Sequence, residues 1–126
     1  MSEIMPVAKQ SPRIKNGVIY WYAGDAFAID WEVQLMDDEG SAITFKPGDQ
    51  LVWSFFSTSD KVKPVYTFTF NYDDIQDNKV TLLFSRTISS KFTIGSYTYC
   101  VKFIDTENDR IVTLNATNKV QVEACH

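Results

Sequence analysis

The sequence predicts an all-β domain, built as an antiparallel sandwich or barrel of about seven to nine short strands. Apolar and polar residues alternate with a period of two in one segment after another, which is typical of strands with one buried face. Turn signals rich in Gly, Pro and Asp separate these segments at intervals of roughly 8–12 residues. No segment has a convincing helical period, apart from one helical turn within Thr87–Phe92, where Ile88 and Phe92 stand four residues apart.

The clearest strand lies between Phe92 and Ile104, where a strict alternation follows Gly95. Glycine suits the turn before the strand because it adopts backbone conformations that other residues avoid. Since side chains alternate across a strand, one face is predicted to enter the core. That face carries Tyr97, Tyr99, Val101 and Phe103, opposite Thr98, Cys100 and Lys102.

The other predicted strands are Val18–Tyr22, Ala26–Met36, Ile43–Phe45, Leu51–Phe56, Val65–Phe70, Val80–Phe84, Ile111–Leu114 and Lys119–Glu123. Ala26–Met36 is the longest clean alternation, and its polar second face indicates an antiparallel sheet wetted on one side. Leu51–Phe56 is partly apolar on both faces, which predicts a central strand. The turns Asp37–Gly40 and Lys46–Asp49 flank the short strand between them.

The chain of 126 residues fits one domain, predicted over residues 17–126. Residues 1–16 have no periodicity and are predicted to form a flexible leader. An alternative is an extended arm that docks on a neighbouring subunit, which Pro6 and Pro12 would suit.

Charge and composition exclude several classes of partner. The net charge of −4 argues against non-specific binding to nucleic acid or to an anionic membrane. No apolar run approaches the roughly 20 residues of a membrane-spanning helix. Met1–Lys15 has no apolar signal core, so we expect no export by a cleaved signal peptide. Cys100 and Cys125 are expected to be free thiols if the chain is cytosolic, although a disulfide between them stays open.

No pattern of residues points to catalysis, and we expect no enzyme activity, no cofactor and no metal site. The one histidine is His126, the last residue, so a Ser–His or Cys–His site has no fixed base. Cys100, Cys125 and His126 are too few for zinc. Asp105–Asp109 has the alternate acids of a calcium loop but lacks the required glycine, and we expect a solvated turn. Asp30 and Glu32 are expected on a wet sheet face.

The aromatic triplet Tyr20, Trp21 and Tyr22 is the candidate interaction site. One hypothesis places Tyr20 and Trp21 at an assembly interface. A second places Trp21, Tyr22 and Tyr72 on a stacking surface for carbohydrate. The alternative to both is structural: alternate members pack in the core, and Trp21 covers the sheet edge.

Gly95–Tyr99 resembles the Gly-x-Tyr-x-Cys entry of strand F in immunoglobulin-type domains. The resemblance implies that Tyr97 is a tyrosine-corner residue and that Trp53 is the buried strand-C tryptophan. Tyr99 stands where the second cysteine usually lies, and Cys100 is one residue out of phase. The implied fold is therefore an immunoglobulin-like β-sandwich without the inter-sheet disulfide.

A narrower resemblance is to the N-terminal domains of bacteriophage baseplate upper proteins and related prophage tail modules. It spans roughly Val18–Val122 and uses strand lengths and turn order. The matching pieces are Gly24-Asp25, Asp38-Glu39-Gly40, Leu51-Val52-Trp53, Thr87 through Phe92 leading into Gly95–Tyr99, Thr113-Leu114 and Lys119-Val120. The resemblance implies a non-enzymatic structural module of a virion tail, baseplate or neck.

Such a module would be found in the virion, or in the bacterial cytoplasm before assembly. Its implied partners are other virion subunits and further copies of itself in a homo-oligomer. The alternative function is a ligand-binding sandwich, for example for carbohydrate.

Overall fold

The computed structural model describes residues 12–32, 35–36 and 42–124. In chain order its elements are β1 (Arg13–Lys15), β2 (Val18–Tyr22), β3 (Phe27–Glu32), β4 (Leu35–Met36), β5 (Ala42–Ile43), β6 (Gln50–Ser57), β7 (Tyr66–Asn71), a 3-10 turn (Tyr72–Asp74), β8 (Lys79–Phe84), α1 (Arg86–Ser89), β9 (Gly95–Asp105) and β10 (Arg110–Glu123). The prediction of an all-β fold is confirmed. The predicted helical turn is present as α1, where the Ser85 hydroxyl accepts a hydrogen bond from the Ile88 amide at 3.3 Å.

Two sheets face each other across the core. Within the described residues, six strands form the larger sheet in the order β1-β2-β10-β9-β6-β7, while β3 and β8 pair as a smaller sheet and β4 and β5 form a short hairpin. One pair departs from the expected antiparallel arrangement, because β2 runs parallel to β10, with Trp21 opposite Val122. These two strands come from distant parts of the chain, so no tight turn dictates their relative direction.

The core is aromatic and follows the predicted strand phase. The inward residues of β9 are buried as expected, and they meet Leu51, Trp53 and Phe55 from β6 and Val80, Leu82 and Phe84 from β8. Trp31 on β3 reaches across the sandwich to the large sheet. Its ring centroid lies 5.8 Å from that of Trp53 and 5.6 Å from that of Tyr99. This contact joins the two sheets at their centre.

The boundary predicted for the leader is wrong at Arg13–Lys15, which forms strand β1 and pairs antiparallel with β2. Asn16 and Gly17 connect the two strands with φ angles of 54° and 77°. Two successive positive φ angles form the hairpin turn that an Asn-Gly pair favours. The hairpin therefore adds an edge strand where a flexible leader is predicted. Residues 1–11 lie outside the described residues, and so does the docking arm hypothesised there.

Tyr97 anchors the entry of β9. Its side chain is 5% exposed, and its hydroxyl donates a hydrogen bond to the Thr93 carbonyl oxygen at 2.6 Å. A hydroxyl that bonds back to the backbone a few residues upstream is the arrangement of a tyrosine corner. Gly95 lies between these residues with φ at 151°, which an L-residue rarely adopts.

We predict that Tyr97→Ala lowers the free energy of unfolding by about 3–5 kcal/mol, because it removes a core aromatic ring. Tyr97→Phe keeps the ring and loses only the hydrogen bond to Thr93, so its cost is about 1 kcal/mol. Urea denaturation of the three proteins measures both differences. Equal losses for the two variants would contradict the separate roles of ring and hydroxyl.

Candidate functional site

The predicted aromatic site is divided between the core and the surface. Trp21 is 0% exposed, so it cannot take part in an interface or a sugar platform. Its ring packs 5.1 Å from Phe27, 5.0 Å from Phe84 and 5.5 Å from Phe92. The physical reason is the strand phase: Trp21 shares the inward face of β2 with Ile19. The prediction that Trp21 is an interaction residue is therefore wrong.

Tyr20 and Tyr22 lie on the outer face of β2 and are half-buried by the N-terminal hairpin. The Arg13 guanidinium lies 5.4 Å from the ring centroid of Tyr20 and 5.5 Å from that of Tyr22. It also forms an ion pair with Glu123 on β10. These contacts hold β1 to the sheet, and Arg13 covers part of both rings.

The predicted carbohydrate platform is not assembled. Tyr22 lies on the second strand of the large sheet, whereas Tyr72 lies in the 3-10 turn that follows the sixth strand. With Trp21 in the core, the three rings share no surface. The Asn16-Gly17 pair is the sequence signal for the β1–β2 hairpin. A hairpin at that turn places Arg13 beside Tyr20 on the paired strand.

A buried aspartate joins two turns at one end of the sandwich. Asp105, at the end of β9, is 1% exposed. Its carboxylate accepts hydrogen bonds from the Asn108 side chain at 2.8 Å and the Asn108 amide at 3.2 Å. Lys46 Nζ lies 3.1 Å from Oδ1, and Arg110 Nε lies 3.3 Å from Oδ2. Asp105 thus fixes the β9–β10 turn and ties it to the turn before β6.

Lys46 and Asp49 complete this polar cluster. The Lys46 amide donates to Asp49 Oδ2 at 2.9 Å, and Lys46 Nζ lies 3.5 Å from Asp49 Oδ1. The Thr106 hydroxyl donates to the Gly48 carbonyl oxygen at 2.6 Å, which links the two turns a second time. Sequence reasoning missed the cluster because its members lie about sixty residues apart. The prediction of a solvated turn over Asp105–Asp109 is correct for the exposed residues 106–109 and wrong for Asp105, which is buried.

The charges around Asp105 pair with one another. Hydrogen bonds from Asn108, followed by those from Lys46 and Arg110, hold the pKa of Asp105 well below its usual range despite its burial. The hydrogen bond to Asp105 raises the pKa of Lys46. The cluster around Asp105 therefore has a structural role.

Elsewhere, burial raises the pKa of the Tyr99 hydroxyl to about 12.

The other predicted sites can be placed only in part. In the described part of the chain, no group of three or more His, Cys, Asp or Glu side chains is arranged to hold a metal ion. Cys100 is half-buried on the outer face of β9 and is a free thiol. Cys125 and His126 lie outside the described residues. Asp30 and Glu32 are exposed on the outer face of β3, as predicted, and Asp30 accepts a hydrogen bond from Thr81 at 2.7 Å.

The hairpin of β9 and β10 presents apolar side chains to solvent. Ile111 is 64% exposed and Val112 is 38% exposed. On one side, β10 pairs with β9 along its length. On the other side, β2 pairs only with Val120–Glu123, so the first half of β10 has a free edge among the described strands. Apolar groups on a strand with a free edge are a typical site of protein contact.

A groove of about 590 Å³ runs along a different edge of the molecule. It lies between β7 of the large sheet and β8 of the small sheet, with the Asp74–Asp77 loop at one end. Thr69 and Phe70 line one wall, and Val80 and Thr81 line the other. The groove therefore lies between a strand edge of each sheet.

Among the described residues, no helix is long and apolar enough to cross a membrane. Comparisons of the chain with models of protein families and with curated protein sequences find no match.

We predict that the stability conferred by Asp105 is lost in acid. Its folded pKa lies below the ordinary value of 3.8, so the ionised carboxylate stabilises the fold above that pH. The free energy of unfolding should fall as pH decreases from about 4 towards 2, because protonation breaks contacts that the unfolded chain lacks. Urea denaturation across this range should give a steeper fall for the wild type than for Asp105→Asn. Parallel profiles for the two proteins would exclude Asp105 as the titrating group.

We predict that Arg13→Ala lowers the free energy of unfolding by about 1 kcal/mol, the combined size of an exposed ion pair and a cation–π contact. Arg13→Lys is the matched control, because it keeps the charge and loses the planar stacking group. Its expected loss is intermediate. Thermal denaturation at low and high salt separates the two contributions, since screening weakens the ion pair. A loss for Arg13→Lys as large as that for Arg13→Ala would assign the effect to stacking alone.

Proposed function

We propose that this chain is a non-enzymatic structural module of a phage or prophage virion, acting through protein–protein contacts in a tail, baseplate or neck. The observation that carries the proposal is the β9–β10 hairpin, which exposes Ile111 and Val112 on a strand with a free edge. An apolar strand edge of this kind suits burial against another protein.

The hairpin is held in place before any partner binds. Asp105, at its turn, accepts hydrogen bonds from Asn108, while Lys46 ties the same carboxylate to the turn before β6. A preorganised element loses little conformational entropy on binding, so more of its contact energy becomes affinity. The cluster around Asp105 therefore supports a rigid docking role.

The virion setting is supported by the resemblance to baseplate upper proteins and prophage tail modules. The Tyr97 hydrogen bond to Thr93 agrees with the immunoglobulin-like part of that resemblance. The contact between Trp31 and Tyr99 lies between the two sheets and needs no disulfide to join them. A domain of this kind suits assembly in a reducing bacterial cytoplasm. The carbohydrate alternative relied on a three-ring surface, and its rings lie on separate parts of the molecule.

The proposal predicts that the chain is a constituent of assembled particles. The test uses a lysogen whose prophage carries the gene: the prophage copy is deleted, and the tagged chain is supplied from a plasmid. Particles are then purified on a density gradient and analysed by quantitative mass spectrometry. We expect the chain to co-purify in a fixed ratio to other tail proteins. Its presence in the lysate but not in purified particles would contradict the virion role.

The same assay tests the hairpin. Ile111→Asp places a charge in the proposed contact, and we expect incorporation to fall at least about tenfold, the effect of losing a central apolar contact. Ile94→Asp is the matched control, because Ile94 is an isoleucine of similar exposure, at 60%, and precedes β9 at the end of that strand away from the β9–β10 turn. It should leave incorporation unchanged. Equal incorporation of folded Ile111→Asp and wild type would exclude the hairpin as the contact.

A further inference from the structure

Strand β7 forms one edge of the large sheet and has a free side. Among the residues described, it pairs only with β6. The groove of about 590 Å³ lies beside Thr69 and Phe70, so this edge is open to a partner. Natural proteins usually protect such an edge with charged residues or proline. The segment from Val65 to Tyr72 contains neither.

The backbone of β7 offers hydrogen-bonding groups on its free side. The Asn71 amide donates to Asp74 Oδ2 at 2.9 Å, so this amide points away from β6. In an antiparallel strand, alternate residues point their amide and carbonyl groups to the same side. The corresponding groups of Thr67 and Thr69 therefore point to the open edge.

We propose that a second copy of this chain pairs with β7 edge to edge and antiparallel, so that the two large sheets become continuous across a twofold axis. The inference rests on the proposed function, because a module that acts through protein contacts needs a defined contact surface. To that function it adds the contact surface, which is the free edge of β7, and the partner, which is a second copy of the chain. The recognising chemistry is a set of backbone hydrogen bonds along an uncharged strand.

Self-pairing of β7 brings suitable side chains together. With the twofold axis at Phe68, Thr67 of each copy lies opposite Thr69 of the other and exchanges backbone hydrogen bonds with it. Tyr66 lies opposite Phe70 of the second copy on the inner face. Both of these rings are only half-buried in the single chain. Threonine pairs and aromatic pairs are favourable across strands, and this register places no like charges opposite each other.

The charges beside β7 favour the same antiparallel arrangement. Asp60, Lys61 and Lys63 precede the strand with one net positive charge, whereas Asp73, Asp74 and Asp77 follow it. Antiparallel pairing places the basic side of one copy beside the acidic side of the other, at both ends of the contact. Lys63 and Asp73 stand five residues before and after Phe68, so pairing centred on Phe68 brings Lys63 of one copy to the same end of the contact as Asp73 of the other. This charge complementarity favours a second copy of the chain as the partner of β7.

The expected association is weak. A strand pair of this length buries less than the roughly 800 Å² per partner of a standard interface, so we expect a dissociation constant in the micromolar range. Sedimentation equilibrium of the full chain between about 1 µM and 1 mM covers that range. We expect a reversible monomer–dimer equilibrium. A chain that stays monomeric at every concentration would overturn the proposal.

Thr69→Pro tests the edge directly. It removes an amide that β6 does not use, so the fold should persist, as circular dichroism would verify. We expect the dissociation constant of the dimer to rise at least about tenfold. Two amide donors are lost per dimer, and the pyrrolidine rings of the two prolines obstruct strand pairing. Thr69→Val keeps the amide and should still form the dimer. A folded Thr69→Pro variant that dimerises like the wild type would exclude the β7 edge.

A charge exchange tests the register without changing the backbone. Lys63→Glu brings like charges together at both ends of the contact, and we expect up to about tenfold weaker association at low salt. The double variant Lys63→Glu/Asp73→Lys restores opposite charges and should restore association. Failure of this rescue would overturn the register centred on Phe68, even if Thr69→Pro does not fold.

Different outcomes would contradict the virion role and the pairing of β7 between two copies. A chain that is incorporated into particles but is monomeric in solution contradicts the β7 pairing alone. A dimer disrupted by Thr69→Pro but absent from purified particles contradicts the virion role alone.

Discussion

The sandwich depends on burying large aromatic rings between two sheets of unequal width. Trp31 meets Trp53 and Tyr99 at the centre, while Trp21 packs with Phe84 and Phe92 near the start of β9. The indole N–H groups of all three tryptophans are buried without an acceptor among the described residues. An unpaired donor costs about 1–3 kcal/mol, whereas truncating a core aromatic costs about 3–5 kcal/mol. Ring burial therefore outweighs the missing hydrogen bonds, and the sheets are joined mainly by packing.

Much of this arrangement could be predicted from local alternation. The inward phases of β3, β6, β8 and β9 follow directly from the period of two, and so does the burial of Tyr97 and Trp53. The β1–β2 hairpin could also have been predicted, because Asn16-Gly17 is a strong turn signal. It was missed because Arg13–Lys15 is too short to show a pattern of its own. Strand β1 pairs with β2 and is also held by Arg13, which bonds to Glu123, more than a hundred residues away.

The candidate sites were harder to predict, because their members are brought together only by the fold. The sequence shows one aromatic group, Tyr20, Trp21 and Tyr22. In strand β2, however, Trp21 lies on the face towards the core and the two tyrosines lie on the outer face. Asp105 and Lys46 belong to separate polar turns in the sequence, and neither turn alone predicts that Lys46 pairs with a buried carboxylate. The parallel pairing of β2 with β10 is likewise a long-range contact that no turn specifies. Such pairings depend on the whole sheet, which a local pattern does not describe.

The enclosed positions of the tryptophans give the protein an optical signature. Trp21 and Trp53 lie fully inside the sandwich, and Trp31 is half-buried. Indole emission shifts to shorter wavelengths in an apolar environment, so the native chain should emit to the blue of tryptophan in water. Trp31 also lies close enough to Tyr99 for energy absorbed by the tyrosine to pass to the indole. Separation of the two sheets would expose the indole rings and move the emission to the red, which allows the opening of the sandwich to be followed without a label.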